Sequence, residues 1–217
     1  MNWLSGTAFT AFGEPVKWAD MFGNLLGLSA LALGWRRSVW SWPVQLLSGA
    51  VLIAAYLSSA VPAPGLISKQ LIVIAAAGWG WTRWNRGRRD TGDIAVRFAT
   101  WPERAVLAGA TALGTLALAW IFLANPSLSW NPWADAYIFV GTLAAMYAQA
   151  RGWVEFWFAW IAVDVVGVPL AFDSGYAFSG LTYSIYFVLV LLGLRAWWLR
   201  TRENRPATAN VPQGASA

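Results

Sequence analysis

The chain contains no cysteine and no histidine. Without cysteine, disulfides and thiolate chemistry are excluded. Without histidine, the commonest proton shuttle and metal ligand is missing. Charge is scarce too. Only 12% of the 217 residues are Asp, Glu, Lys or Arg, against about 25% in a soluble domain. Lysine is almost absent, occurring only at Lys17 and Lys69. Residues 1–16 lack the basic start and apolar centre of a cleavable signal peptide. No glycine-rich phosphate loop is present, and no two carboxylates share one helix face deep in an apolar stretch. A membrane-embedded hydrolase needs a Ser–His or metal arrangement, so the chain is not expected to be an enzyme or to hold a cofactor or metal.

What is abundant is apolar surface. Hydrophobic residues make up 58% and the mean hydropathy is +0.50. A membrane-spanning helix needs roughly 20 mostly apolar residues. Seven such stretches occur, at about 17–35, 40–60, 66–84, 104–124, 133–150, 153–172 and 177–198. Helices are expected because every backbone polar group must be satisfied within lipid. The thirteen arginines fall at one set of ends: Arg36 and Arg37; the group Arg83, Arg86, Arg88, Arg89, Arg97 and Arg104; Arg151; and Arg195, Arg200, Arg202 and Arg205. Both lysines fall at the other. The positive-inside rule then predicts an outside N-terminus and a cytoplasmic C-terminus. The net charge of +5 reads as topology, not as a nucleic-acid surface. The polar stretch 201–217 reads as a disordered cytoplasmic tail.

The chain also repeats itself. Trp18-Ala19-Asp20 recurs as Trp133-Ala134-Asp135, an offset of 115 residues. At that offset Trp42 falls on Trp157, Gly65-Leu66 on Gly180-Leu181, and Gly78 on Gly193. The predicted fold is an all-α membrane protein of seven transmembrane helices in one domain, residues 1–200. Two three-helix repeats, about 17–87 and 132–200, flank a linker helix at about 104–124. The offset spans four helices, so both repeats enter the membrane in the same direction. Parallel three-helix repeats are the architecture of SWEET-type transporters, whose halves meet around a substrate path.

Tryptophan is unusually common, at 17 residues. Trp18, Trp130 and Trp133 are placed for an outer aromatic belt. Trp35, Trp84, Trp101, Trp153, Trp197 and Trp198 are placed for an inner one. Trp42, Trp157 and Trp160 lie deeper. In the sixth stretch Trp157, Trp160 and Asp164 are spaced i, i+3, i+7 and share one face. Asp164 lies roughly 16 Å in from Trp153, close to the midplane. A carboxyl group there should face protein or water, and it is a functional candidate. The partner face of the second stretch carries Trp42, Gln45 and Gly49. Asn24, Ser48, Tyr56, Thr142, Tyr183 and Tyr186 lie at similar depth, with Gln70 and Gln149 nearer the ends. Each alone reads as an interhelical hydrogen bond. Together with the deep indoles they predict a cavity for a flat, uncharged, hydrogen-bonding small molecule. The substrate-binding set is Asn24, Trp42, Gln45, Tyr56, Trp157, Trp160, Asp164, Tyr183 and Tyr186. Glu155 is expected to pair with Arg151. Pro43 and Pro169 are candidates for helix kinks or helix ends.

The segment Gly78-Trp79-Gly80-Trp81-Thr82-Arg83-Trp84-Asn85-Arg86-Gly87 resembles the aromatic signature in the third core helix of PnuC-type vitamin transporters. The segment from Trp157 to Leu170, which includes Trp160, Asp164 and Pro169, resembles that family's sixth-helix motif. The likeness runs from about Trp3 to Trp198 and departs from the family pattern at Thr82 and Arg83. It implies a SWEET-like fold and a homotrimer with one path per protomer. It also implies facilitated diffusion of an unphosphorylated vitamin that a cytoplasmic kinase then traps. Within the family, the chain is most similar to the riboflavin branch. The expected substrate is riboflavin. A nicotinamide riboside carrier of the same fold is the alternative, and a membrane-embedded enzyme or receptor is the second.

Overall fold

A computed structural model describes residues 6–11, 13–57, 64–92, 94–129, 131–173 and 177–203. Most of the stretch read as a tail, from Asn204 onward, lies outside the described residues, as does Trp130. Seven helices follow the seven apolar stretches: α1 (Trp18–Trp35), α2 (Ser41–Leu57), α3 (Pro64–Thr91), α4 (Trp101–Ala124), α5 (Pro132–Ala150), α6 (Glu155–Asp173) and α7 (Ala177–Glu203). By length and hydropathy alone, Trp101–Ala124 and Leu181–Thr201 are long and apolar enough to cross a membrane. The segments Met21–Trp35 and Ser41–Ala54 are shorter and apolar.

One element adds to the expected all-helical fold. Ahead of α1, β1 (Thr7–Ala11) and β2 (Glu14–Lys17) form an antiparallel hairpin. Gly13 sits in its turn at φ +84°, a conformation glycine adopts without a Cβ penalty. The alternating pattern is too short to stand out beside the helical runs. The ends of α3 and α7 also extend beyond the apolar stretches, into arginine-bearing turns.

Local signals set several helix boundaries. Thr100 and Glu103 form a capping box at the start of α4. The Asn131 side chain accepts from the Ala134 N–H at the start of α5, where proline occupies the first turn. Pro43 is the third residue of α2, a helix-start position. Pro169 stands inside α6.

The helices pack in two sequential groups, α1–α2–α3 and α5–α6–α7, joined by α3–α5 and α1–α7 contacts. Among the helices, α4 packs chiefly on α5. Its apolar side chains, including Val106, Leu113 and Trp120, remain exposed and call for lipid or protein cover.

The core is aromatic and lies toward the arginine-rich end. Trp42 meets Trp84 edge-to-face, with centroids 5.3 Å apart, and Trp157 meets Trp197 in the same way at 5.9 Å. A glycine admits each indole. A Cβ on Gly80 would come within 2.4 Å of the Trp42 ring, and one on Gly193 within 2.1 Å of the Trp157 ring. Each outer indole then crosses to the other group. The Trp84 Nε1–H donates to the Gln149 carbonyl and the Trp197 Nε1–H to the Trp35 carbonyl, both at 3.0 Å. Trp42 and Trp157 keep the 115-residue offset. The α3 and α7 contacts, however, match Gly80 with Gly193 and Trp84 with Trp197, two residues short of it. The expected match of Gly78 with Gly193 is therefore corrected: a Cβ on Gly78 would meet nothing within 4 Å.

The inner aromatic belt also needs correction. Trp84, Trp153 and Trp197 are buried in the core, whereas Trp101 and Trp198 are exposed. The loop from Ile94 to Thr100 folds under this end. Arg97 and Trp153 exchange backbone contacts through Arg97 N–H to Gly152 O and Val154 N–H to Arg97 O, each at 3.0 Å. Glu155 does not pair with Arg151 as expected. It accepts from Arg104 at 2.7 Å and from the Ala99 N–H at 2.9 Å, while Arg151 reaches Glu103 at 3.2 Å. The i, i+4 partner loses because the α4 start brings Arg104 alongside.

Candidate functional site

Between the two helix groups lies a cavity of about 230 Å³. Six helices line it, and α4 contributes nothing. On each helix the lining residues recur at helical spacing. On α2 they are Ser41, Trp42, Gln45, Ser48 and Leu52. That span is about 16 Å at 1.5 Å per residue, roughly half the thickness of a bilayer core.

Seven of the nine expected site residues line this cavity: Asn24, Trp42, Gln45, Trp160, Asp164, Tyr183 and Tyr186. They come from four helices and are brought together only by packing. Trp157 does not join them. It is fully buried against Gly193, Phe156 and Trp197, one turn closer to the arginine-rich end. The Tyr56 side chain lies outside the described residues. The structure adds Ser41, Lys69, Gln70 and Gln149, besides the polar Ser48 and Thr142. Lys69 was read as an outer topology marker. It shares one α3 face with Val73, four residues on, which also lines the cavity; the uniformly apolar run from Leu71 to Ala77 gave no signal of which face points inward.

Some polar groups of the wall are satisfied within the protein. The Tyr186 hydroxyl crosses from α7 to donate to the Asn24 carbonyl at 3.0 Å. It passes so close to Gly27 that a Cβ there would lie 2.0 Å from the oxygen. The Ser48 hydroxyl donates to the Gly23 carbonyl at 3.1 Å and Thr142 to the Ile138 carbonyl at 2.7 Å. The Tyr186 and Ser48 bonds fix α1 against α7 and α2, while the Thr142 bond stays within α5.

Four other polar atoms of the lining residues are buried with no protein partner: Ser41 Oγ, Trp42 Nε1, Trp160 Nε1 and Asp164 Oδ2. Buried polar groups are nearly always hydrogen-bonded, so a cluster of exceptions needs a reason. Here the exceptions comprise two indole donors, one carboxyl acceptor and one hydroxyl, all on residues that line one cavity. That set is suited to a molecule with both donors and acceptors on a flat, partly apolar frame. Among the described residues, no group of His, Cys, Asp or Glu side chains is arranged to hold a metal ion.

Residues 17–199 match the family model described as "Nicotinamide mononucleotide transporter". The chain is 57% identical over 215 residues to the riboflavin/roseoflavin transporter RibM of Streptomyces davaonensis, covering 98% of this chain and 100% of that protein. It is 23% identical over 218 residues to the nicotinamide riboside transporter PnuC of Escherichia coli, covering 89% and 90% of the two chains. Its fold is similar to the crystal structure of the vitamin B3 transporter PnuC, with a TM-score of 0.68 at 16% identity, over 87% of this chain and 83% of that one. The match spans all seven helices and both walls of the cavity, and the chain belongs to the nicotinamide mononucleotide transporter (PnuC) family.

Proposed function

We propose that the protein carries riboflavin across the bacterial plasma membrane by facilitated diffusion, with the vitamin trapped inside by phosphorylation. The observation that carries this reading is the set of unpartnered atoms Trp42 Nε1, Trp160 Nε1, Ser41 Oγ and Asp164 Oδ2 on residues that line one cavity. Riboflavin is a neutral three-ring plane with a uracil-like edge and a hydroxylated side chain. Indole faces hold the plane, and the polar set reads the edge and the chain. The near full-length similarity to a riboflavin/roseoflavin transporter supports the same substrate. Nicotinamide riboside is the second reading, because the Asp164 carboxyl in the cavity wall suits a cationic ring.

The reading extends to architecture. Helices α1–α3 and α5–α7 are parallel repeats, an arrangement supported by the two similar Trp–Trp–Gly clusters. The N-terminus lies outside and the C-terminus in the cytoplasm, which the arginine distribution supports. The assembly is a homotrimer, for which the exposed apolar surface of α4 leaves room. The protein is a carrier and not an enzyme, as its relatives are transporters.

Proteoliposomes containing only this protein test the mechanism and the class together. Labelled riboflavin should equilibrate across the membrane and not concentrate. Uphill accumulation that a protonophore abolishes would overturn uncoupled diffusion. Titrating riboflavin and nicotinamide riboside against one preparation tests the substrate. Riboflavin should bind more tightly, with flavin fluorescence quenched by indole stacking. Tighter nicotinamide riboside binding without quenching would promote the second reading.

A further inference from the structure

A second cavity, of about 450 Å³, lies on the arginine-rich side of the aromatic core. Its walls come from α3 (Trp79, Arg83, Trp84 and Arg86), from the end of α5 through Gly152, and from Ile94 and Ala95 of the loop. Trp84 is common ground. One edge of it meets Trp42 of the transport cavity, and it also lines this second space.

Three guanidinium groups line the space, at Arg83, Arg86 and Arg151, and among the described residues no acidic side chain does. Arg151 has one ion-pair partner, Glu103, but its buried Nε has no hydrogen-bond partner. Among the described residues, neither Arg83 nor Arg86 is in an ion pair. Arg83 lies 5.9 Å over the Trp79 ring, which itself stacks on Tyr147 at 5.5 Å. The floor is apolar, formed by Trp84, Ile94 and Ala150. The 28 residues of α3 extend roughly 42 Å, more than the ~30 Å of a hydrocarbon core. Its arginine-bearing turns therefore emerge at headgroup level.

Arginines on this side serve topology, but topology asks only for charge near the helix ends. It does not ask for three guanidinium groups around one concave space. Arg88 and Arg89, one turn further along, supply the same charge and do not line the cavity. We propose that this second cavity is a phosphate-binding site at the arginine-rich membrane surface, taking a phosphate group from an anionic lipid or from a soluble phosphate ester. Planar guanidinium forks match phosphate oxygens. Basic pockets between transmembrane helices suit phosphate headgroups. The apolar floor and Trp79, braced by Tyr147, then hold the part of the ligand next to the phosphate. Because Trp84 borders both spaces, the bound phosphate sits one indole away from the transport cavity.

The test uses the full-length protein in uncharged detergent. Native mass spectrometry reads retention of phosphatidylglycerol against phosphatidylcholine. Thermal unfolding reads the effect of inorganic phosphate against chloride at matched ionic strength. The variant pair Arg83→Gln/Arg86→Gln is compared with Arg88→Gln/Arg89→Gln, which loses the same charge outside the cavity. A third pair, Arg83→Lys/Arg86→Lys, keeps the charge and guards against misfolding of the first.

Wild type should prefer phosphatidylglycerol. The cavity pair should lose roughly tenfold or more of that preference, the lysine pair less, and the control pair little. Stabilisation by inorganic phosphate as well would show that a soluble phosphate is accepted. Preference for the lipid alone would assign the site to a headgroup. Equal losses in the cavity and control pairs, or no preference in wild type for either probe, would overturn the proposal.

Discussion

Asp164 offers a test in which binding and stability move in opposite directions. Its side chain is 4% exposed and its Oδ2 has no protein hydrogen-bond partner. It sits nine residues into α6, about 14 Å along the helix axis. A polar group buried without a partner costs the folded protein about 1–3 kcal/mol. A carboxyl group near the bilayer centre costs about 2.5–3.5 kcal/mol on insertion scales. Asp164→Ala removes both costs and leaves a space that adjoins an existing cavity. The ligand-free variant should therefore unfold at the same temperature as wild type or a higher one. If the carboxyl accepts from the substrate, the same change removes one buried partner, about 1–3 kcal/mol, or roughly 5- to 150-fold in affinity. Asp164→Asn keeps an acceptor and should fall between wild type and alanine. Thermal unfolding in detergent and flavin fluorescence titration on one preparation measure the two effects. A lower unfolding temperature with unchanged affinity would make Asp164 a structural residue and refute the argument.

Trp160→Ala should weaken riboflavin binding and reduce flavin quenching, whereas Trp157→Phe should leave quenching near wild type because Trp157 lies outside the cavity; fluorescence titration compares them. Gly193→Ala should destabilise by about 1–3 kcal/mol through overpacking against Trp157, while Gly78→Ala, with open space around its Cβ, should stabilise by roughly 0.5–1 kcal/mol; thermal unfolding of both variants checks the sign. Trp84→Phe removes the indole donor to the Gln149 carbonyl and should cost about 0.5–1.5 kcal/mol, read as a lower unfolding temperature. Glu155→Gln should loosen the Arg104 and Ala99 contacts, seen as faster amide exchange in residues 97–100, and Glu155→Asp should do the same because its shorter side chain reaches neither partner well.

The sequence alone determined what repeats along one helix or depends on composition. Seven apolar stretches marked seven helices, with the arginine-bearing ends of α3 and α7 running further, because helix length and hydropathy are local properties. Trp160 and Asp164 were legible as neighbours because i and i+4 share a face. The polar residues of α1, α2 and α7 were legible as candidates because polar groups amid apolar runs need partners. The hairpin from Thr7 to Lys17 escaped because two short strands give a weak pattern. Tertiary structure decided which deep indoles border the cavity. Trp42 and Trp157 have the same spacing from their arginine-bearing ends, yet only Trp42 lines the cavity, since the packing of α7 encloses Trp157. It also decided that Glu155 meets Arg104 and not Arg151, and that Trp84 and Trp197 are cross-braces and not belt residues. Each depends on how close one helix comes to another, and for the Trp42 and Trp157 clusters glycines with no side chain, at positions 80 and 193, set that distance. A linear sequence displays such a glycine but not the ring that will occupy its space.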